Sequence, residues 1–130
     1  MKKIYHLGNC TTCQAIIKET GILRQASRNE RDRHDDKFVM QDIKFEKITA
    51  EQLDEMKKMA GSYEALFSRR ALKYKELKLK DKKLEEKDYL NYILDEYTFL
   101  KRPVVIINDR IFSGSEKKTI EALKKAVKEG

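Results

Sequence analysis

The amino-acid sequence predicts an α/β fold in which a four-stranded mixed sheet is flanked by helices. Short apolar runs of strand length stand near both ends of the chain, and helical patterns fill the region between them. The one proline, Pro103, directly precedes the β-branched run Val104–Ile107, where a strand can begin. With 130 residues, 40% of them hydrophobic, the chain can form one core. We expect a single domain over residues 1–130, with an inserted helical lobe at about residues 49–99.

Composition excludes several classes of protein. The net charge of +7 favours an anionic ligand but does not choose among phosphate, nucleic acid and small oxyanions. No segment has the about 20 apolar residues of a membrane helix, and the start of the chain turns polar too early for a signal peptide. Two cysteines, three residues apart, exclude a secreted disulfide scaffold. We therefore expect a cytoplasmic protein with no membrane partner.

The first part of the chain has the pattern strand, helix, strand. Ile4–Leu7 is a short apolar run, and the helix that follows begins near Cys10 and is capped by Gly21. Residues 24–37 are almost wholly polar, which predicts a solvated loop or an exposed helical extension. The second strand is expected at residues 38–43.

The middle of the chain is predicted to be helical. Thr49 and Gln52 have the spacing of a capping box, and Gly61 ends the helix that they begin. Another short helix is expected after Ser62. The pattern of apolar residues then predicts a longer helix over about residues 88–99.

The last part of the chain returns to strands. Val104–Ile107 is too short and too β-branched for a helix, and Asn108-Asp109 is typical of a tight hairpin turn. The returning strand is Arg110–Phe112. A final amphipathic helix presents three apolar residues on one face: Ile120, Leu123 and Val127.

Cys10 and Cys13 form a C-x-x-C pair at the start of the first predicted helix. In this order of elements, the pair predicts a thioredoxin-like fold. A helix amino terminus favours a thiolate, so Cys10 is expected to be the nucleophile and Cys13, one turn further on, the resolving thiol. Zinc binding is an alternative interpretation of the cysteine pair. A zinc site needs four ligands, and the chain offers only two Cys and two His, one of which, His34, lies in the polar stretch. No metal is therefore expected. Two inert core cysteines are the other alternative.

Two further residues are candidates to act with the thiols. His6 stands four residues before Cys10 and can lower the pKa of that thiol through a direct or relayed hydrogen bond. The alternative is a histidine at a strand end that points to solvent or bonds a carbonyl. In a thioredoxin-like sheet the loop before the late strand faces the C-x-x-C turn. Pro103 is therefore expected beside Cys10, with a cis peptide bond.

Arginines are the candidate anion ligands, because the guanidinium group offers paired donors. Arg102 precedes Pro103 and is predicted near the thiols by the same topology. For Arg69 and Arg70 the alternative is that one of them caps a helix end. The Lys-rich stretch at residues 73–87 has few interleaved aromatics and is interpreted as a solvated helix face, so no nucleic-acid partner is expected.

Five segments together resemble the arsenate reductase (ArsC)/Spx family. They are Ile4–His6, Cys10–Cys13, Gln41–Ile43, Phe67–Arg70 and Leu100–Val105. The resemblance spans nearly the whole chain, with residues 24–37 as an insertion. It implies a thioredoxin-like fold that carries a helical lobe.

The resemblance also implies roles for individual residues. Cys10 matches the cysteine that attacks arsenate, and His6 matches a residue that helps to activate it. Arg102 matches an oxyanion-binding arginine, and either Arg69 or Arg70 falls at the position of a second one that would close the anion site.

Two positions depart from the reductase pattern. A third arginine, expected just after the final hairpin, is absent from Phe112–Gly114. The presence of Cys13 is the second departure, because the glutathione-coupled reductases usually have only the first cysteine. The Spx-type regulators have C-x-x-C and use it as a redox switch.

We therefore expect an enzyme, an arsenate-reductase-like thiol oxidoreductase. Its Cys10 thiolate attacks an oxyanion or disulfide substrate, and Cys13 or an external thiol resolves the product. The expected partners are a small oxyanion and a thiol reductant such as glutathione with glutaredoxin, or thioredoxin, with no resident cofactor. The alternative is an Spx-like redox-sensing transcriptional regulator that is switched by a Cys10–Cys13 disulfide and binds RNA polymerase.

Overall fold

The structure is a computed structural model, and it describes residues 2–8, 10–22, 26–27 and 38–129. The chain forms two compact units. The sheet unit consists of Met1–Glu46 and Arg102–Gly130, and the helical unit consists of Lys47–Lys101. Within the described ranges, no helix is long and apolar enough to cross a membrane.

The helices and strands follow one another in the order that the sequence predicts, with one additional strand. In chain order they are β1 (Lys2–His6), α1 (Thr11–Thr20), β2 (Ala26–Ser27), β3 (Phe38–Asp42), α2 (Ala50–Ala60), α3 (Leu72–Glu76), α4 (Glu86–Asp95), β4 (Val104–Ile107), β5 (Arg110–Ser113) and α5 (Lys117–Glu129). Short 3₁₀ helices lie at Glu64–Leu66, Leu79–Asp81 and Tyr97–Phe99.

The sheet has the strand order β2-β3-β1-β4-β5, with β1 at its centre. β1 runs parallel to β3 and antiparallel to β4, and β5 pairs antiparallel with β4, so the predicted mixed sheet is confirmed. The two-residue strand β2 pairs with β3 and adds a fifth strand at the edge. It lies in the polar stretch that was expected to be a loop or helical extension; residues 24–25 and 28–37 of that stretch lie outside the described residues.

The core of the sheet unit lies between the sheet and helices α1 and α5. Ile16 and Ile17 of α1 and Leu123 and Val127 of α5 are buried in one cluster with Ile4 of β1. The apolar face predicted for the last helix is therefore confirmed, with Ile120 packed against the same cluster. Burying one such aliphatic side chain stabilises a fold by about 1.5–3 kcal/mol.

The helical unit begins as the sequence predicts. Thr49 and Gln52 form a reciprocal capping box, in which the Gln52 amide donates to Thr49 Oγ1 at 3.1 Å and the Thr49 amide donates to Gln52 Oε1 at 3.2 Å. Gly61 ends α2 with a φ of 99°, in the left-handed region. Ser62 Oγ accepts a hydrogen bond from Ala65 N–H at 3.1 Å, at the start of the first 3₁₀ helix.

The prediction of one helix over residues 88–99 is wrong at its end. Helix α4 stops at Asp95, and Glu96 has an extended backbone. The following residues instead join a backbone pairing inside the helical unit, where Ser68 N–H donates to Phe99 O at 2.6 Å and Lys101 N–H donates to Leu66 O at 2.8 Å. These long-range hydrogen bonds override the local helical pattern.

Candidate active site

The loop between β1 and α1 places Cys10 at the amino terminus of α1. Cys10 has an extended backbone and is the N-cap residue, and its amide donates to Leu7 O at 3.1 Å. The Gln14 side-chain amide donates to the same carbonyl at 3.1 Å, which fixes the loop against the first turn. Cys10 Sγ accepts from Cys13 N–H at 3.5 Å. The predicted position of the sulfur at the helix terminus is confirmed.

Asp42 ties this loop to the neighbouring strand. Its Oδ2 accepts from Gly8 N–H at 3.0 Å, and its Oδ1 accepts from Lys44 N–H at 3.1 Å. A Cβ atom on Gly8 would lie only 2.7 Å from Asp42 Oδ2, so the close approach requires glycine at this position. No role for Asp42 was predicted from the sequence. The one feature of the sequence that could have indicated a role is its position near the end of a strand that was predicted to run parallel to β1.

The Cys10 thiol is partly exposed and has a pKa below its ordinary value. Partial burial alone raises this pKa, but several groups together outweigh it. The amide and thiol of Cys13 donate toward the sulfur, the positive charge of Arg102 attracts the thiolate, and the Thr12 amide adds a further hydrogen bond. Cys10 is therefore suited to act as a nucleophile.

Cys13 has the opposite environment, because its side chain is fully buried against the core. Burial raises the pKa of the Cys13 thiol to about 12, and the neighbouring Cys10 raises it as well. Cys13 is thus neutral at physiological pH and can donate its proton toward Cys10. Both cysteines are free thiols in this structure.

Arg102 and Pro103 directly precede β4, as the sequence predicts, while the position of Pro103 beside Cys10 stays a prediction. The Arg102–Pro103 peptide bond is cis, and Pro103 is buried, with its carbonyl accepting from Gly114 N–H at 3.0 Å. Arg102 is half-buried, and its positive charge favours the thiolate form of both cysteines, although burial still raises the pKa of Cys13. The structure therefore brings one predicted anion-binding arginine to the C-x-x-C pair.

His6 ends β1 and is buried, so the alternative that it points to solvent is wrong. It stands in register with Asp42 on the parallel neighbour β3, and its carbonyl accepts from Ile43 N–H at 3.0 Å. Its predicted part in activating Cys10 stays a prediction.

Arg69 and Arg70 belong to the helical unit and differ in their surroundings. Arg69 Nη2 lies 3.9 Å from Glu64 Oε1, and a hydrogen bond with Tyr89 raises the pKa of its guanidinium. Tyr89 in turn donates to Glu64 Oε2 at 3.1 Å. Arg70 is exposed, and its guanidinium forms no ion pair within the part of the chain that the structure describes. The predicted contribution of one of them to anion binding stays a prediction.

The described residues contain no group of three or more His, Cys, Asp or Glu side chains that could hold a metal ion. His34, which was weighed as a zinc ligand, lies outside the described residues.

A mixed sheet, a C-x-x-C pair at the start of the first helix and a proline directly before β4 define a thioredoxin-like fold with two thiols at a helix terminus. Sequence comparison refines this class. A family model described as the ArsC family matches residues 5–123, and the chain belongs to that family. The comparison with curated proteins found no match.

Solved structures share the fold over almost the full length. An arsenate reductase from Vibrio cholerae is 16% identical, with 96% of each chain covered and a TM-score of 0.71. An arsenate reductase (ArsC) related protein from Brucella melitensis is 21% identical, covers 93% of this chain and 92% of its own, and has a TM-score of 0.64. A protein from Staphylococcus aureus is 25% identical, with 94% and 97% covered and a TM-score of 0.66.

Proposed function

We propose that this protein is a thiol-dependent oxidoreductase that reduces a small oxyanion, with Cys10 as the nucleophile and Cys13 as the resolving thiol. The observation that carries the proposal is the contrast between the two thiols. Cys10 is accessible and has a lowered pKa beside Arg102, whereas burial raises the pKa of Cys13 to about 12. Membership of the ArsC family supports the same class of reaction.

In the first step the Cys10 thiolate attacks the central atom of the oxyanion. With arsenate, a sulfur–arsenic bond forms and one arsenic–oxygen bond breaks, and the leaving oxygen takes up protons and departs as water. Arg102 is the candidate to hold the remaining oxygens, since its guanidinium offers two parallel donors to an oxyanion.

In the second step Cys13 attacks Cys10 Sγ and a disulfide forms. The sulfur–arsenic bond breaks and leaves its electron pair on arsenic, which is reduced from the pentavalent to the trivalent state. The Cys13 proton passes to the released oxyanion. Because Cys13 keeps its proton until this step, it does not compete with Cys10 for the substrate.

A reductant outside the chain then returns the disulfide to two thiols. A protein dithiol such as thioredoxin suits an internal disulfide, while glutathione with glutaredoxin suits a mixed disulfide on Cys10. Both are thiol reductants expected for a cytoplasmic protein, and the choice between them distinguishes resolution by Cys13 from resolution by an external thiol.

The direct test is arsenate reduction, measured in parallel with thioredoxin and with glutathione plus glutaredoxin. The proposal requires turnover by the wild type and none by Cys10→Ser. Cys13→Ser should lose turnover with thioredoxin and accumulate a mixed disulfide with a small thiol. Turnover that persists in Cys10→Ser would exclude this mechanism.

Arg102 has a matched control in the same unit. Arg102→Lys keeps the charge but loses the paired donors, so we expect a higher KM for arsenate. Arg110 is exposed on β5, with its guanidinium 5.2 Å from the Phe112 ring, and Arg110→Lys should change neither KM nor kcat. Equal KM values for Arg102→Lys and wild type would remove Arg102 from the anion site.

A redox-sensing regulator is the second candidate, and the C-x-x-C pair favours it. Its signature is a Cys10–Cys13 disulfide that forms with mild oxidants in a protein without oxyanion turnover. Binding to RNA polymerase only in one redox state, with no arsenate reduction by either reductant system, would establish it in place of the enzyme.

A further inference from the structure

Phe45 is the most exposed large hydrophobic side chain in the described part of the chain, at 83% of its full accessibility. An aromatic ring of this size in water is costly in free energy, and neighbouring residues offer it little cover. Exposed aromatic side chains are enriched among the residues that dominate protein–protein binding.

The turn that carries Phe45 is held firmly. Phe45 N–H donates to Asp42 O at 3.1 Å and Glu46 N–H donates to the same carbonyl at 2.8 Å. The Asp42 side chain also accepts from Lys44 N–H at 3.1 Å. A fixed backbone at this turn loses little conformational entropy on binding, which suits a docking anchor.

The same aspartate connects the Phe45 turn to the loop that carries Cys10. Asp42 Oδ2 accepts from Gly8 N–H at 3.0 Å, and Gly8 is two residues before Cys10. Both segments follow the carboxyl ends of parallel strands, β1 and β3, so they lie at one edge of the sheet. The path from Cys10 to Phe45 has two Cα steps to Gly8, the Gly8–Asp42 hydrogen bond, and three Cα steps from Asp42. At about 3.8 Å for each step, the Cα atoms of Phe45 and Cys10 lie within roughly 25 Å of each other.

This separation fits a protein partner. A standard interface covers about 800 Å² on each side, which is a patch roughly 30 Å across. A protein whose reactive sulfur reaches Cys10 can therefore cover Phe45 at the same time. A small thiol such as dithiothreitol cannot.

The charges around the ring indicate the chemistry of that partner. Lys44 Nζ lies 5.7 Å from the centre of the Phe45 ring, and Arg102 places a second positive charge beside the thiols. The whole chain carries a net charge of +7. A complementary surface has an apolar patch next to its own dithiol and an acidic side chain that can pair with Lys44 or Arg102.

We propose that Phe45, with Lys44, is the docking anchor for a protein dithiol that reduces the Cys10–Cys13 disulfide. A thiolate of the partner attacks one sulfur of the disulfide and forms a mixed disulfide, and the second thiol of the partner breaks it. The partner leaves as a disulfide, and Cys10 and Cys13 return to thiols. This inference rests on the proposed function, which generates that disulfide.

The test compares reduction of the oxidised protein by thioredoxin and by glutaredoxin, as protein thiols, with reduction by dithiothreitol. Phe45→Ala should lower kcat/KM for the preferred protein reductant by about tenfold or more and leave the dithiothreitol rate unchanged. Leu72→Ala is the matched control, since Leu72 is 76% exposed in the helical unit and should change neither rate. Equal alkylation rates at Cys10 in all three proteins would show that the thiol site is intact.

The outcomes separate this inference from the proposed function. If the wild type is reduced by a protein thiol and Phe45→Ala is reduced equally fast, the docking role is wrong and the enzyme proposal stands. Reduction by dithiothreitol alone likewise overturns the docking role. If oxidation never forms a Cys10–Cys13 disulfide, both proposals fail.

Discussion

The two thiols should differ in their rate of alkylation by a factor that the structure sets. The pKa of Cys13 is about 12 and that of Cys10 is below the ordinary value of 9.0, a difference of at least about 3 units. At pH 7.5 the thiolate fraction of Cys13 is therefore about a thousandfold smaller. A thiolate of higher pKa is more nucleophilic. With a Brønsted slope of about 0.4–0.5, the Cys13 thiolate is intrinsically more reactive than the Cys10 thiolate by a factor of roughly 15–30, which offsets part of its lower abundance. The net preference for Cys10 is about thirtyfold or more.

The assay is timed alkylation with iodoacetamide at pH 7.5, followed by mass spectrometry of the peptides that contain each cysteine. Labelling in concentrated urea is the internal control, because both thiols should then react at similar rates. In Cys10→Ser, labelling of Cys13 should remain slow, since burial raises its pKa whether or not Cys10 is present. Labelling of Cys13 in the folded wild type at a rate equal to that of Cys10 would refute the assignment of nucleophile and resolving thiol.

Three further predictions concern stability. Thr49→Ala removes the capping box of α2 and should lower the free energy of unfolding by about 1 kcal/mol in urea titrations; no change would mean that the cap contributes nothing. Gly8→Ala places a Cβ atom 2.7 Å from Asp42 Oδ2 and should cost about 0.5–1.5 kcal/mol by displacing that side chain and breaking the exposed hydrogen bond, with unchanged stability contradicting the close approach. Cys13 ionises near 9.0 when unfolded and at about 12 when folded, so stability should fall as pH rises above 9, by at most about 1.4 kcal/mol per pH unit. Cys13→Ala should show a shallower decline, and an identical decline would contradict the raised pKa.

Local signals predicted much of the fold. The helix that begins after Cys10 and ends at Gly21 needs only a cap, a periodic apolar face and a glycine in the left-handed region, and all three are readable in the sequence. The same holds for the hairpin at Asn108, whose φ of 56° suits asparagine.

Contacts between distant residues could not be predicted. Asp42 and Gly8 are 34 residues apart, and the sequence near either residue does not predict their hydrogen bond. Tyr89 and Glu64, the partners of Arg69, are 25 residues apart in the chain. The difference between the surroundings of Arg69 and Arg70 therefore could not be predicted from the local sequence. Residues 96–99 are outside α4 for the same reason, because the segment that they begin has its backbone partners in another part of the chain.

The central position of β1 has a consequence for synthesis on the ribosome. Lys2–His6 emerge about 100 residues before their partner, because the strand is hydrogen-bonded on one side to β4, which lies at Val104–Ile107. At about 5–20 residues per second, one edge of β1 waits for several seconds before its partner is made. Lys2 and Lys3 begin this strand, and their charges oppose edge-to-edge association with other nascent chains during that interval.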